Sequence, residues 1–500
     1  MSTPRRPVVA VVGGGIAGLA AAWELVAGGG ERPEVHLLEE GDRLGGKVRS
    51  AEFAGRTLDL AADAFLARRP EAVDLCDELG ISGELVPVGA SGASILARGR
   101  LRPMPDGLAL GIPTRWLPLA RSGLFSPSEL ARIWSDLVKP HLGTPSAFGD
   151  RSVGAIVGER LGRAVVERLA DPLIGGIHAG DVDDLSAAAT FPVLIATSHQ
   201  AGSFMRRLGR TQAARAAASP TVGSNPSSPV FYSLGGSTAA LTRHLRDELW
   251  VRGATLRTGA RVEAITRVDV PGIGLRWRLA VGGPGGPASG GELDVDGVVL
   301  AVPAPQAAVL LAVHAPAAAG MLSTFEYASV AVVTMAVKDD AVGRPLVGTG
   351  FLVPRTTTID GHPALMTGCT YLSRKWPHLA RPDDELLRVS VGRFHDERAD
   401  QLGDEELAAS AFAELAPVLG LRGAPLESRV TRWTAAFPQY RVGHLIRVGT
   451  VEKAVAELPG MAVAGAAYRG VGIPACIGSG RAAARTVLRS LVAGPGQPIG

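Results

Sequence analysis

Glycines at three positions near the N-terminus have the spacing of a dinucleotide-binding turn. Gly13, Gly15 and Gly18 match the pattern GxGxxG; they follow the β-branched run 8–12 and open an apolar stretch. In such a turn the first glycine permits the bend, the second lets the backbone approach a pyrophosphate, and the third lets the helix pack closely on the strand. The helix N-terminus then offers free N–H groups to the phosphates. The pattern predicts a strand, a turn and a helix that hold a dinucleotide.

An acidic residue follows at a position from which it can bind a ribose. Glu39 ends the next strand-like run, 35–38, about twenty residues after the glycine turn. A carboxylate there accepts hydrogen bonds from ribose hydroxyl groups and repels a 2′-phosphate, which argues against NADP. A second glycine pair lies between Arg43 and Lys47 and suggests a loop that folds back on the pyrophosphate. Plain NAD domains do not need such a loop.

The composition of the chain narrows the class of function. Its 500 residues suit two or more domains that share a ligand cleft. The formal net charge is only +3, which argues against a general nucleic-acid binder. Three distant cysteines and scattered histidines predict neither disulfides nor a metal site, and they fit a reducing cytosol. The apolar stretches 8–25 and 298–321 are interrupted by glycines, prolines or polar residues, so we expect no transmembrane segment.

The elements that must position these residues can be read along the rest of the chain. Helical patterns from 126 to 208 predict a helical insertion, whereas the stretch 209–229, rich in Ala, Ser, Pro and Gly, predicts a mobile loop or lid. The pattern at 404–419 predicts an amphipathic helix, and a last helix is expected to begin near Gly480. Further strands are predicted at 255–265, 292–302, 330–337 and 388–394.

Both ends of the chain resemble the amine oxidase and phytoene desaturase superfamily of FAD enzymes. The stretch 8–47 is similar to its N-terminal signature, and 463–480 is similar to its C-terminal motif, where a strand, a glycine turn and a helix N-terminus meet the flavin. The resemblance implies an α/β fold with a GR2-type Rossmann-like FAD-binding domain, a mixed-sheet substrate domain and a helical insertion. We predict that the FAD-binding domain is made of three parts, residues 1–85, 231–310 and 431–500. Residues 86–230 are predicted to bind substrate and to contain the helical insertion, and residues 311–430 are predicted to form the substrate-binding sheet.

Internal segments resemble the protoporphyrinogen and coproporphyrinogen III oxidase family. They lie at 63–71, at 175–192 and at 433–444, and the sequence Gly-Val-Gly-Ile-Pro at 470–474 is closest to the coproporphyrinogen III branch of Gram-positive bacteria. The resemblance implies a cytoplasmic oxidase of haem biosynthesis that converts coproporphyrinogen III to coproporphyrin III, with hydride transfer to FAD and release of hydrogen peroxide. Its implied partners are a tetrapyrrole, oxygen and the next enzyme of the haem pathway.

The resemblance also assigns residues along the FAD, while no catalytic acid or base is assigned. Arg68 and Arg69 are candidates for binding the substrate propionates. Many relatives have Gly-Pro where this chain has Ala61-Ala62. The predicted cofactor-binding residues are Gly13, Gly14, Gly15, Ile16, Ala17, Gly18, Glu39, Glu40, Arg43, Gly46, Lys47, Ala61, Ala62, Asp63, Ala64, Val262, Trp433, Ala466, Val471, Gly472 and Ile473.

Three alternative functions stay open at the level of sequence. The first is oxidation of protoporphyrinogen IX, although Ala93 stands where relatives specific for that substrate place an arginine. The second is a flavin amine oxidase, which would need an aromatic partner for Trp433 where this chain has Ala466 and Ala467. The third is a flavin-binding carrier of tetrapyrroles that catalyses nothing.

Overall fold

Strands and helices alternate along the chain, and they assemble around two large sheets. The computed structural model describes residues 5–28, 32–138, 149–200, 202–218, 229–283 and 286–493. The predicted α/β fold class is confirmed. The helix predicted at 404–419 is confirmed with those bounds.

The strands are β1 Val8–Val12, β2 Glu34–Leu38, β3 Ser50–Phe53, β4 Arg56–Asp59, β5 Phe65–Leu66, β6 Leu85–Pro87, β7 Ser94–Ala97, β8 Arg100–Pro103, β9 Leu108–Ala109, β10 Ile112–Pro113, β11 Phe231–Leu234, β12 Thr255–Arg257, β13 Val262–Val270, β14 Gly274–Gly283, β15 Gly286–Val295, β16 Gly297–Leu300, β17 Tyr327–Lys338, β18 Gly350–Leu352, β19 Thr358–Ile359, β20 His362–Pro363, β21 Met366–Tyr371, β22 Asp384–Val391, β23 Glu427–Pro438 and β24 Met461–Val463.

The α-helices are α1 Ile16–Ala27, α2 Pro70–Glu78, α3 Trp116–Arg121, α4 Pro127–Val138, α5 Val153–Leu161, α6 Arg163–Val165, α7 Gly176–His178, α8 Ala187–Thr190, α9 Val193–Ser198, α10 Phe204–Ala218, α11 Ala239–Val251, α12 Ala304–Leu311, α13 Pro316–Leu322, α14 Leu372–Lys375, α15 Asp404–Leu419, α16 His444–Ala456 and α17 Ile473–Ala493. A π-helix, Val166–Gly175, connects α6 to α7.

Five parallel strands form the sheet from which the N-terminal glycine turn projects; we call it the parallel sheet. Its strand order is β12-β2-β1-β16-β24, so the start, the middle and the end of the chain all contribute. Val9 and Val11 of β1 pack into one core cluster with α1 and α17, whereas Ala10 and Val12 face a second cluster on the opposite side. A strand buried on both faces needs apolar residues at every position, which explains the unbroken apolar run.

The first and last helices pack directly against each other beside the parallel sheet. A Cβ atom on Gly480 of α17 would lie 2.0 Å from the Ala17 carbonyl oxygen of α1, so only glycine permits this approach. The prediction that the last helix begins near Gly480 is wrong, because α17 begins at Ile473. Pro474 occupies its first turn, where a missing N–H breaks no helical hydrogen bond.

Seven strands form a second sheet, which we call the mixed sheet. Its order is β23-β17-β22-β21-β18-β7-β8, and among these pairs only β18 and β7 run parallel. Leu407, Ala411 and Leu415 of α15 are buried against it. Three acidic residues in the first turn of α15 favour its N-terminus, and Gly420, at φ +67°, ends the helix in the left-handed conformation.

Helices α3 to α10 and the π-helix form the helical segment, and all of them except the short α7 contribute buried residues to one core cluster. The helical insertion predicted over 126–208 is present. The prediction of a loop from 209 is wrong over 209–218, because α10 continues to Ala218. Alanine is a strong helix former, so the alanines of this stretch favour a helix although the overall content of Ala, Ser, Pro and Gly suggested a loop. The rest of that predicted loop, 219–228, lies outside the described residues.

Candidate active site

A cavity of about 940 Å³ lies where the parallel sheet, the mixed sheet and the helical segment meet. Both glycine turns line it: Gly13 and Gly15 from the N-terminal turn, Gly465 and Gly472 from the C-terminal one. The two ends of the chain are therefore brought to one cavity, which is large enough for a dinucleotide and part of a second ligand.

The three glycines of the N-terminal turn have different surroundings. A Cβ atom on Gly13 would lie 2.5 Å from the Ala301 carbonyl oxygen, and one on Gly18 would lie 1.8 Å from the Gly13 carbonyl oxygen. Gly15, by contrast, has no atom within 4 Å of the position of such a Cβ. It is the N-cap of α1 and gives that helix no side-chain cap, so the first N–H groups of α1 are left for a ligand that approaches Gly15.

Glu39 lies beside this turn at the end of β2 and lines the cavity together with Glu40. Its Oε2 accepts the Gly14 N–H at 2.6 Å, and its Oε1 accepts the Gly41 N–H at 2.8 Å. A carboxylate oxygen has two lone pairs, so each oxygen can still accept a hydrogen bond from a ribose hydroxyl group. The backbone bonds hold the carboxylate in place for that contact.

The loop between Arg43 and Lys47 folds back on the glycine turn, as the sequence predicts. The Gly45 N–H donates to the Gly14 carbonyl at 2.8 Å. Gly46 and Lys47 line the cavity, whereas Arg43 donates to the Gly46 carbonyl at 2.7 Å and fixes the loop from behind. Burial lowers the pKa of Lys47. Lys47 Nζ donates to the carbonyl of Ala436 in β23, so this lysine links the loop to the mixed sheet.

The C-terminal turn is held by a tyrosine that the sequence analysis did not assign to the site. Tyr440 is buried; its hydroxyl donates to the Ala466 carbonyl at 2.6 Å and accepts the Gly470 N–H at 2.8 Å. Ala466, Val471, Gly472 and Ile473 all line the cavity. A buried tyrosine needs a hydrogen-bond partner for its hydroxyl, and Tyr440 finds both of its partners in this turn.

The predicted segment 61–64 divides into residues that line the cavity and one that does not. Ala61, Ala62 and Ala64 line it. Asp63 lies behind them, where its carboxylate is 2.6 Å from Arg388 Nη2 and 2.9 Å from Lys375 Nζ. Burial raises the pKa of Asp63, but the two cations more than offset that effect and hold the pKa well below its usual range.

The remaining predicted cofactor residues lie around the same cavity. Ile16 and Ala17 line it from α1, Val262 lines it from β13, and Trp433 lines it from β23. The Trp433 indole N–H donates to the Leu60 carbonyl at 3.3 Å, which orients the ring.

Arg68 and Arg69 stand outside the residues that line the cavity. Both are exposed next to the start of α2, and Arg69 pairs with Glu71 at 2.7 Å. Their role in binding substrate stays a prediction. Two other arginines line the cavity, Arg388 and Arg393, together with Asp171. None of these three residues could be predicted from the sequence, because the patterns around them do not indicate which side chains face a ligand.

Within the described ranges, no helix combines the length and the apolar character that crossing a membrane requires. Over the same residues, no three His, Cys, Asp or Glu side chains are grouped so that they could hold a metal ion.

Comparisons with known proteins agree with this geometry. The family described as flavin containing amine oxidoreductase matches residues 16–488. The coproporphyrinogen III oxidase of Bacillus subtilis (strain 168) is 32% identical over 495 residues, which cover 98% of this chain and 100% of that protein. The coproporphyrinogen III oxidase of Mycobacterium bovis is 34% identical over 493 residues, 98% of each chain.

Solved structures show the same arrangement. A crystal structure from Exiguobacterium sp. 255-15 has a TM-score of 0.81 at 32% identity and covers 98% of this chain and 100% of its own. The structure of reduced UDP-galactopyranose mutase has a TM-score of 0.67 at 14% identity, a likeness of fold alone. The matches to the two coproporphyrinogen III oxidases cover 98% of this chain and so include both glycine turns and the mixed sheet.

Proposed function

The chain belongs to the flavin-containing amine oxidoreductases, within them to the coproporphyrinogen III oxidase family, and on that premise we propose that it oxidises coproporphyrinogen III to coproporphyrin III. It is an FAD-dependent oxidase. One observation carries the choice of substrate: relatives named coproporphyrinogen III oxidase match it over 98% of its length at 32% and 34% identity. The predicted place of the reaction is haem biosynthesis.

The residues that line one end of the cavity fit FAD. Gly15 and the uncapped N-terminus of α1 would hold the pyrophosphate, and Glu39 would hold the ribose. The turn held by Tyr440 would meet the flavin end. When bound, FAD supplies a two-electron acceptor for hydride.

The other end of the cavity suits a broad tetrapyrrole. Val330, Val332 and Val391 provide apolar surface from β17 and β22, and Arg393 provides a cation just past the end of β22. An apolar slot with a few well-placed polar groups is what a large planar ligand with carboxylate edges needs. The chain's task in this reaction is to hold a meso carbon against the flavin and to exclude water.

We further propose oxygen as the electron acceptor, with one hydrogen peroxide released for each pair of electrons. Coproporphyrinogen III loses six hydrogens on becoming coproporphyrin III, so three oxygen molecules yield three molecules of peroxide. A cytoplasmic location and transfer of the product to the next enzyme of the haem pathway belong to the same proposal.

Anaerobic mixing of the purified protein with coproporphyrinogen III tests the proposal. We expect the flavin absorbance to bleach without oxygen, because each FAD accepts one pair of electrons. When air is admitted, porphyrin fluorescence should appear together with three peroxides per porphyrin. Protoporphyrinogen IX at the same concentration should bleach the flavin more slowly, and the reverse order would favour the first alternative. A flavin that neither substrate bleaches would contradict an oxidase of porphyrinogens and favour a carrier.

A further inference from the structure

Arg393 is a buried cation in the wall of the cavity, and the protein leaves its hydrogen-bond donors unused. It lies just past the end of β22 and lines the cavity, with its side chain 10% exposed. Within the described ranges its guanidinium group forms no hydrogen bond, and none of its three nitrogen atoms is cut off from accessible surface. These donors can therefore be reached by a ligand in the cavity.

The carboxylates next to Arg393 do not take up its donors. Asp171 Oδ2 is 3.8 Å from Arg393 Nη1, which is longer than a hydrogen bond. Asp396 lies in the same turn, but its two oxygens accept from Arg398 at 2.8 and 2.7 Å. Burial lowers the pKa of Arg393, although a guanidinium group stays charged in proteins. A charged and largely dehydrated group without a hydrogen-bond partner gains much from an anionic ligand.

The other cations that line this cavity in the described chain are engaged elsewhere or are in contact with solvent. Arg388 Nη2 pairs with Asp63 at 2.6 Å. Lys47 donates to a backbone carbonyl of β23, and the side chain of Arg261 is 70% exposed. Arg393 is thus the cation of the lining that is both buried and without a hydrogen bond.

The backbone on either side of Arg393 is fixed before any ligand arrives. Gly392 has a φ of +88°, and a Cβ atom on it would lie 3.1 Å from the Ser329 carbonyl oxygen of β17. The Phe394 N–H donates to the Ala179 carbonyl, just past α7, at 2.7 Å. Arg393 is therefore held where the mixed sheet meets the helical segment, both of which are predicted to bind substrate. A donor that is already in place costs little conformational entropy on binding.

The proposed substrate needs a cation inside the cavity. Coproporphyrinogen III carries one propionate on each of its four pyrrole rings. Whichever edge of the macrocycle enters first, at least one carboxylate must therefore leave bulk water. Burying an unpaired carboxylate is costly, whereas a hydrogen-bonded guanidinium group offsets that cost. Apolar walls cannot do so.

We propose, on the basis of the proposed function, that Arg393 binds the propionate on the inserted edge of the porphyrinogen and so fixes how far the ring enters the cavity. The pair forms within the cavity wall and not at its solvent-exposed mouth. A macrocycle that inserts an edge with vinyl groups would leave Arg393 unpaired and would bind more weakly. Arg393 is in this way a residue that selects for carboxylates on the ring.

Coproporphyrin III tests this without turnover, because it keeps the four propionates and is not oxidised further. We expect fluorescence titration of the FAD-loaded protein to show that Arg393→Ala weakens its binding by about tenfold to a hundredfold, the usual cost of losing a hydrogen bond to a charged group. The tetramethyl ester of the same porphyrin should lose less than about threefold. Arg393→Lys keeps the charge without the paired N–H groups and should give an intermediate loss, so it decides the matter should Arg393→Ala fail to fold.

Arg355→Ala is the matched control, since Arg355 Nε is 3.7 Å from the same Asp171 carboxylate but Arg355 does not line the cavity. It should leave the affinity for coproporphyrin III unchanged, and Arg393→Ala should keep its FAD. Equal losses in the two alanine variants, equal losses for the acid and the ester, or loss of FAD from Arg393→Ala would each overturn the inference alone. Wild-type protein that binds no coproporphyrin III would contradict the proposed function and this inference with it.

Discussion

Single residues of the N-terminal turn lack a side chain for different physical reasons. Gly13 and Gly18 are glycines because the protein's own backbone lies within 2.5 Å of any added Cβ. Gly15 has no protein atom near the position of an added Cβ, so the absence of a side chain there leaves room for a ligand. Substitutions at these positions should therefore separate folding from cofactor binding.

Gly15→Ala should fold normally and lose FAD. Its φ of −70° suits alanine, and the added methyl group meets no protein atom, but it occupies the space through which a pyrophosphate reaches the backbone. We expect FAD affinity to fall by at least about tenfold, the effect of 1.4 kcal/mol, while the melting temperature of the FAD-free protein stays unchanged. Flavin content after purification and an FAD titration measure this.

Gly28→Ala is its control, because Gly28 follows the other end of α1 at φ −60° and an added Cβ would have only Glu24 O, at 3.9 Å, within 4 Å. A Gly15→Ala protein with wild-type FAD affinity would show that the pyrophosphate does not approach this glycine.

Spacing in the sequence identifies the loops of the site better than the individual side chains in them. The turn 13–18, Glu39 and the loop 43–47 could be predicted, because glycine patterns and strand ends have fixed geometry. The sequence did not show that Asp63, unlike the alanines beside it, points away from the cavity and pairs with Arg388. Asp171 was missed because its exposure to the cavity depends on a π-helical turn that no sequence period indicates.

Among the secondary-structure elements, the crossing of α1 and α17 is the closest contact that the sequence did not reveal. Gly480→Ala should force the helices apart, because the added Cβ would lie 2.0 Å from the Ala17 carbonyl oxygen. We expect destabilisation of about 3 kcal/mol, which is typical of severe overpacking, and a weaker hold on FAD, since both helices begin at glycine turns of the cavity. Chemical denaturation and FAD titration test both effects.

Gly478→Ala on the same helix provides the comparison. Its Cβ would meet only the flexible side chain of Glu71, at 3.4 Å, so the gain in helix propensity should stabilise it by about 0.5–1 kcal/mol. Should both variants have the stability of the wild type, the contact between α1 and α17 would not be as close as the structure shows.

Individual elements could be predicted where their period was regular. The helix α15 was predicted with its observed bounds because acidic residues begin it and a glycine ends it. The predictions for the end of α10 and the start of α17 were wrong. Alanine-rich and proline-containing stretches are compatible with either a loop or a helix, and tertiary contacts determine which one forms.

At the scale of the whole molecule, patterns of apolar residues predict where strands occur but not which strands pair in a sheet. The parallel sheet joins β1, β16 and β24 from three distant stretches, and only the family resemblance predicted that the ends of the chain meet. The proposed division of the chain at 85, 230, 310 and 430 stays a prediction. Buried charge joins the β3–β4 hairpin to the mixed sheet: Asp59 at the end of β4 and Asp63 just after it face Arg388 of the mixed sheet.

This network should make the stability of the folded protein depend on pH through Asp59. Burial raises the pKa of Asp59 to about 6 from its ordinary 3.8, although the N–H and hydroxyl of Thr238 bond to its carboxylate and favour the charged form. Between those two pH values the folded chain keeps a proton that the unfolded chain releases. Stability from this group is therefore greatest below about pH 4, and it falls by roughly 3 kcal/mol as the pH rises past 6.

Asp59→Asn replaces the carboxylate with a neutral group of similar shape and should remove this dependence. We expect its melting temperature, relative to that of the wild type, to rise between pH 4.5 and pH 7.5, because only the wild type must ionise a buried carboxylate over that interval. Asp247→Asn, an exposed change on α11, should follow the wild type at every pH. A constant difference between Asp59→Asn and the wild type would mean that Asp59 titrates alike in the folded and unfolded chains, and that burial does not raise its pKa.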